Sequence, residues 1–143
     1  MMNEASRIAY NNIKPKISKL QDEALFEIYK WIKIHKVLPT PTDVFDAQQE
    51  AYLIRLVRIS FSEGIKYSQT HNKVPTPVTL IAKTEKPTFT KINTFHVRVK
   101  ELDELGLIIR LRNLDEQRSR GDLIKITERG YKYLNKVPIE LKE

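Results

Sequence analysis

The chain contains no cysteine and only four glycines among its 143 residues. Without cysteine, disulfide frameworks, thiolate catalysis and cysteine-based zinc sites are excluded. Four glycines leave little scope for phosphate-cradling loops, and the sequence has no Walker-type loop, nucleophile elbow or carboxylate cluster. Its three histidines are scattered and lack a spacing such as His-Glu-x-x-His. The sequence therefore predicts a protein that is not an enzyme and has no metal site and no cofactor.

Long apolar runs are also missing. No stretch approaches the ~20 consecutive apolar residues of a membrane span. The first ten residues, MMNEASRIAY, lack the charged-then-apolar order of a secretory signal. We therefore expect a soluble, cytoplasmic protein without a membrane partner, long enough to form one compact unit.

Positive charge is abundant and unevenly distributed. The formal net charge is +7 and the pI is about 9.6. Residues 38–85 carry five basic and five acidic side chains, whereas residues 86–125 carry nine and six. Clustered Lys and Arg attract polyanions and displace the counterions around nucleic acid, although ribosomal and membrane-surface proteins can be equally basic. Charge favours a nucleic-acid partner but does not by itself identify one.

The first part of the chain reads as helical. Apolar or aromatic side chains recur at three- and four-residue spacing over 16–37, which predicts an amphipathic helix ending before Pro39: Ile17, Leu20, Ala24, Ile28, Trp31 and His35. A shorter helix is predicted over 4–13. A third is predicted over 43–67, where apolar residues cover most of the circumference and Gly64 is a candidate break. We expect this helix to be buried on several sides, against the rest of the chain or against a second subunit.

A short pattern occurs twice, 36 residues apart. His35-x-x-x-Pro39-Thr40-Pro41 and His71-x-x-x-Pro75-Thr76-Pro77 each follow an amphipathic segment. Thr can cap a helix whose first residue is Pro, since that missing N–H has no helical partner anyway. The repeat is either a partial second helix-turn-helix or a coincidence of two proline turns. In the second copy, residues 77–83 would form a scaffold helix and 84–88 a turn.

Residues 89–134 show a helix followed by a β-hairpin. Ile92, Phe95, Val99 and Leu102 lie on one face of a helix predicted over 90–105, and Gly106 ends it in a left-handed conformation. Residues 107–112 alternate Leu107, Ile109 and Leu111 with Ile108, Arg110 and Arg112, and 123–127 form a second β-type run. The polar residues 113–122 between them predict a hairpin tip, with Gly121 in the turn.

Three segments resemble winged helix-turn-helix proteins, in particular MarR-type regulators: VKELDELGLIIR at 99–110, the Arg-bearing turn at 118–121 and ITERGYKYL at 126–134. The hairpin also resembles the winged-helix domain of archaeal replication initiators. The resemblance implies a recognition helix that enters the major groove and a wing that contacts phosphate or the minor groove. It covers residues 50–135, and the first forty residues do not follow the MarR pattern.

The helical phase selects the residues that would face DNA. Opposite the apolar stripe lie Asn, Thr and Val side chains that can contact base edges or a thymine methyl, with basic residues for phosphate. The candidate recognition residues are Thr90, Lys91, Asn93, Thr94, Val97, Arg98 and Lys100. The alternative is that Asn93 and Thr94 are ordinary solvated residues and that Val97 packs on a neighbouring helix. His96 lies nearer the core by phase, so a packed or hydrogen-bonded histidine is expected there, as for His35 and His71.

The candidate wing residues are Arg112, Arg118, Ser119 and Arg120. Arginine binds phosphate through two parallel hydrogen bonds and is favoured in narrow minor grooves. The alternative is a solvated loop in which these arginines pair with Asp115, Glu116 or Asp122.

These patterns predict a mostly α protein with a small β-hairpin: a helical extension at 1–42, a winged helix-turn-helix domain at 43–136 and a tail at 137–143. The predicted function is sequence-specific binding of double-stranded DNA by a homodimeric transcriptional regulator. Two alternatives remain: a replication or partition initiator of a plasmid or virus, and a winged-helix adaptor that binds a protein.

Overall fold

The computed structural model describes residues 17–70, 86–114 and 121–142. The elements in this part are the helices and strands α1 (Lys19–His35), α2 (Pro41–Thr70), α3 (Ile92–Glu104), β1 (Ile108–Leu111), β2 (Leu123–Ile126) and α4 (Glu128–Leu134). The expected class, mostly helical with a small antiparallel hairpin, is confirmed. The helices expected at 4–13 and 77–83 and the second Pro-Thr-Pro segment lie outside the described residues.

Helix α1 is capped at both ends and forms one wall of the core. Ser18 and Gln21 make a reciprocal capping box at its start, and Lys36 ends it in the left-handed region with φ of 61°. Its buried residues are Ala24, Leu25, Ile28, Tyr29 and Ile32. They share a single apolar cluster with α3 and the hairpin. The sequence placed this helix in a helical extension at 1–42, and in the structure it packs into the same core as α3 and the hairpin.

Helix α2 begins where the first Pro-Thr-Pro segment predicts. The Thr40 hydroxyl accepts a hydrogen bond from the Asp43 amide, the Asp43 carboxylate accepts one from the Thr40 amide, and Pro41 is the first helical residue. The predicted break at Gly64 is wrong, because the helix continues through it to Thr70.

The rest of the chain does not bury α2 on several sides, so of the two expected coverings only a second subunit stays a prediction. Val44 and Gln48 in its first turns are buried, but five large apolar residues further along are exposed: Leu53, Ile54, Val57, Phe61 and Ile65. The reason is length. At 1.5 Å per residue, α2 is about 45 Å long, whereas the 13-residue helix α3 is about 20 Å long, so the far half of α2 extends past its partners.

The end of α3 agrees with its sequence signal. Gly106 has φ of 76°, its amide donates to the Asp103 carbonyl, and the Leu107 amide donates to the Leu102 carbonyl. These two bonds form a Schellman motif, which turns the chain directly into β1.

The hairpin turns Ile108, rather than Ile109 and Leu111, toward the core. Ile108 pairs with Ile126 and Arg110 with Ile124. The three isoleucines are buried, whereas Ile109 and Leu111, expected on the apolar side, are exposed. Because side chains alternate along a strand, this register puts the Arg110 position on the core side.

Helix α4 closes the far side of the core. The Thr127 hydroxyl caps it by accepting from the Gly130 amide, and Tyr131 meets Tyr29 of α1 edge to face. A Cβ on Gly130 would overlap the Leu107 carbonyl oxygen, so only glycine allows this close approach. The segment expected as a tail returns to α1, where the Lys142 amide donates to the Lys36 carbonyl at 2.7 Å. None of the helices among the described residues has the length and apolarity to span a membrane.

Candidate nucleic-acid interface

The core fixes the orientation of α3. Phe95, Val99 and Leu102 are fully buried, and the Phe95 ring meets the Phe89 ring edge to face at 5.1 Å between centroids. This confirms the predicted apolar stripe. Because the stripe is locked into the core, the opposite face of α3 is turned to solvent.

The segment that leads into α3 is held by α2. The buried Gln48 side chain forms two hydrogen bonds with the Phe89 backbone: its oxygen accepts from the amide at 3.0 Å, and its nitrogen donates to the carbonyl at 3.1 Å. Gln49 donates to the same carbonyl at 2.7 Å. The Thr88 hydroxyl donates to Glu23 of α1 at 2.8 Å. The start of α3 is therefore positioned by hydrogen bonds from two other helices.

Most of the predicted recognition residues are exposed together. Thr90 and Lys91 precede the helix, and Asn93, Thr94, Val97 and Lys100 lie on its outer side. The spacing of Asn93, Val97 and Lys100 places them in one row along the helix. Val97 is 47% exposed, so this apolar side chain does not pack against a neighbouring helix in the described structure.

Two residues of α3 differ from their predicted surroundings. Arg98 is half-buried, and its Nε lies 2.9 Å from a Glu101 carboxylate oxygen, so its charge is partly compensated within the helix. His96 is exposed rather than packed, which corrects the expectation drawn from helical phase. His35 does make the expected hydrogen bond, from its Nδ1 to the Trp31 carbonyl, although it is exposed. His71 lies outside the described residues.

The helix and the hairpin are joined by an ion pair. The Arg110 Nε donates to the Asp103 carboxylate at 2.8 Å, across the turn at Gly106. This pair limits the angle between β1 and the end of α3. Arg112, directly after β1, is exposed. The predicted wing residues Arg118, Ser119 and Arg120 lie outside the described residues.

The base of the hairpin tip rests against the start of α2. Gly121 has φ of 118°, as its predicted role in the turn requires, and a Cβ there would lie 3.5 Å from the Pro41 Cδ. Next to it, the Ile124 amide donates to the Pro39 carbonyl at 2.8 Å. The loop between α1 and α2 therefore binds the edge of β2.

The N-terminus of α3 has a positive electrostatic character. Lys91 occupies the cap position, makes no side-chain capping bond, and is followed by a first turn without acidic residues. The partial positive charge of the helix dipole at this end is therefore not offset by a carboxylate from the helix itself.

Sequence reasoning missed the residues that position the site. Gln48 follows the buried Val44 by four residues, so helical spacing could have predicted that Gln48 lies on the core side of α2. Its target, the Phe89 backbone, is 41 residues away and had no local signal. The Asp103 and Arg110 pair depends on how the hairpin packs on α3, which the alternation of residues 107–112 does not determine.

Among the described residues, no group of three or more His, Asp or Glu side chains is arranged to hold a metal ion. Comparisons of the chain with protein-family models, curated proteins and solved structures found no match.

Proposed function

We propose that this chain is a winged helix-turn-helix protein that binds specific sites in double-stranded DNA as a homodimer and regulates transcription. The observation that carries the proposal is the outer face of α3. The buried side of α3 packs into the core, and its outer side exposes a compact group of residues: Asn93, Thr94, Val97 and Lys100. A rigid helix with polar, apolar and basic side chains on one open face suits the major groove.

The arrangement of elements supports the winged-helix part of this proposal. Helices α1, α2 and α3 contact one another in pairs, and α3 leads directly into the antiparallel hairpin. The hydrogen bond from the Ile124 amide to the Pro39 carbonyl gives β2 a further backbone partner on its outer edge. A three-helix head of this kind would consist of α1, the first half of α2, and α3. The sequence pattern predicts a different set of three helices before the hairpin, at 43–67, 77–83 and 90–105.

The chemistry of the exposed group fits direct readout of bases. An Asn side chain can form two hydrogen bonds with adenine, Thr can bond base edges or phosphate, and Val can contact a thymine methyl. Lys91 and Lys100 flank the group and would contact phosphate, together with the open N-terminus of α3. In this arrangement Arg98 contributes less than predicted, because Glu101 neutralises part of its charge.

Selection from random-sequence DNA duplexes, followed by sequencing of the retained fragments, tests this proposal. A symmetric dimer should enrich palindromic sites with half-sites about one helical turn apart. On the enriched site, Asn93→Ala should reduce discrimination at one base pair by about 1–3 kcal/mol. Lys132→Ala, on the outer surface of α4, is the matched control and should retain the preference. Enrichment of no sequence would contradict sequence-specific regulation.

The second candidate is an adaptor that binds a protein, and one observation favours it. Ile109 and Leu111 project from the outer side of the hairpin and are exposed. A β-ribbon with apolar side chains on its open side can pair with a protein partner as well as approach a phosphate backbone. The DNA selection separates the candidates, because an adaptor would enrich nothing.

A further inference from the structure

From Leu53 onward, α2 carries the largest group of exposed apolar side chains among the described residues. Ile54, Val57, Phe61 and Ile65 follow one another at three- and four-residue spacing, and Leu53 borders them on one side. Val57 is 67% and Phe61 is 72% exposed. The five together expose on the order of 500 Å², which is the size of the largest apolar patch on a typical monomer, and such patches are often interaction sites.

The stripe is arranged so that it can fit a copy of itself. Counted outward from Ile59, Val57 and Phe61 lie two residues away on either side, Ile54 and Gly64 five, and Leu53 and Ile65 six. If two α2 helices run antiparallel about a two-fold axis at Ile59, each of these residues faces its counterpart in the other copy. In two of the three pairs a larger side chain would then meet a smaller one, Phe61 against Val57 and Ile54 against Gly64, which lets helices pack closely.

Gly64 is the position that makes this fit specific. A Cβ added there would meet nothing within 4 Å, so the helix surface at Gly64 is open. In the antiparallel register this open space receives Ile54 of the second copy. Ser60 lies one turn before Gly64 on the same border, so the two backbones can approach along this side.

We propose that two copies of the chain associate through the stripe Leu53, Ile54, Val57, Phe61 and Ile65. Their α2 helices run antiparallel, and the two-fold axis crosses them at the height of Ile59. This inference rests on the homodimer of the proposed function and assigns its surface. Two such stripes would bury about 1,000 Å² in total, the smallest area that a biological interface usually needs, so we expect a weak dimer that dissociates in the micromolar range. DNA that carries two half-sites would then stabilise it.

Sedimentation equilibrium of the full chain without DNA tests the interface. From about 1 µM to about 500 µM, the wild type should shift from monomer to dimer. A chain that is monomeric at every concentration would overturn the inference. Because the interface is apolar, raising the salt from about 0.1 to about 0.5 M should not weaken the dimer, whereas it should weaken DNA binding. A failure of dimerisation and a failure of DNA binding are therefore distinguishable.

Variants identify the surface. Val57→Glu with Phe61→Glu should raise the dimer dissociation constant at least about 100-fold, because each copy would bury two charges, four in all, at the centre of the interface. Ile34→Glu is the matched control: Ile34 is 75% exposed on α1, outside the stripe, and its replacement should leave the constant unchanged. A dimer that survives the double substitution, or that is lost equally in the control, would contradict the proposal.

A second variant excludes simple misfolding. Gly64→Leu fills the space opposite Ile54 but places a better helix former in an exposed position, so the monomer should be at least as stable to heat. The dimer should nevertheless weaken at least about 10-fold, since the two helices would be held apart. An unchanged dimer would overturn the antiparallel fit.

The absence of cysteine allows a test of the register. Val57→Cys and Phe61→Cys are made as separate single variants, and mild oxidation of their mixture should give the crosslinked heterodimer in preference to either homodimer. Crosslinking of Val57→Cys to itself with no gain in the mixture would indicate parallel helices and contradict the proposal.

Discussion

The two halves of α2 have similar apolar content but different surroundings. In the first half, Val44 is buried and Gln48 hydrogen-bonds the Phe89 backbone, so this half supports α3. In the second half, Val57 and Phe61 are exposed. Periodicity tells which side chains share a face, but the reach of the neighbouring helices decides which part of that face is covered. One half of the helix thus positions the candidate DNA-binding surface, and the other half is available to a second copy.

The same substitution in the two environments should give the largest contrast. Phe95→Ala removes a fully buried ring and should lower the free energy of unfolding by about 3–5 kcal/mol. Phe61→Ala removes a ring that is 72% exposed and should change it by less than about 0.5 kcal/mol, at concentrations where the chain is monomeric. Urea denaturation followed by circular dichroism measures both. Comparable losses in the two variants would mean that the second half of α2 is packed within the monomer.

Two glycines should respond to alanine with opposite signs. At Gly130 the new methyl group would overlap the Leu107 carbonyl oxygen, so Gly130→Ala should cost about 3 kcal/mol or more. At Gly64 the methyl group meets nothing, so Gly64→Ala should stabilise the monomer by about 0.5–1 kcal/mol through higher helix propensity. Thermal unfolding at low protein concentration gives both values. A stabilising effect at Gly130 would contradict the close contact between α4 and the Leu107 backbone just before β1.

Removing the two hydrogen bonds between the Gln48 side chain and the Phe89 backbone should have an intermediate effect on the free energy of unfolding. Gln48→Ala leaves the buried Phe89 amide without its acceptor and should destabilise the chain by about 1–3 kcal/mol. Gln49→Ala removes one of two donors to the Phe89 carbonyl and should cost less. Hydrogen exchange at the Phe89 amide locates the effect. Equal protection of the Phe89 amide in the Gln48→Ala variant and the wild type would show that the Gln48 hydrogen bonds do not hold the segment before α3.

The smallest effect is expected for the ion pair between α3 and the hairpin. Asp103 and Arg110 are both partly exposed, so a double-mutant cycle with alanine should give a coupling energy below about 1 kcal/mol. Its contribution is orientation rather than stability. Removing the pair should therefore reduce the free energy of DNA binding by more than it reduces the free energy of unfolding. Unchanged affinity would mean that the angle of the hairpin is set by other contacts.

Local signals predicted the elements well. The run Ile92, Phe95, Val99, Leu102 and the stop at Gly106 identified α3, and the Thr40-Pro41 cap identified the start of α2. These features depend on interactions within a few residues, and the sequence displays them directly. The exposed recognition face followed from the same periodicity.

Features that depend on pairing across the chain could not be predicted in the same way. The strand 107–112 is apolar or basic on both sides, so alternation alone did not decide whether Ile108 or Ile109 faces the core. The register with Ile124 and Ile126 decides it. Likewise, the stripe around Phe61 could not be recognised as exposed, since its sequence resembles that of a buried helix and only the lengths of α1 and α3 limit its coverage.

Equilibrium binding of duplex DNA over a range of salt concentrations tests the central claim most directly. The proposal predicts that the logarithm of the binding constant falls linearly with the logarithm of the salt concentration, by about 0.9 for each phosphate contact. Lys91→Ala with Lys100→Ala should flatten this slope by about two contacts, whereas Lys132→Ala should leave it unchanged. A chain with no measurable affinity for duplex DNA at low salt, or a slope equal in all three proteins, would contradict the assignment of the outer face of α3 to DNA.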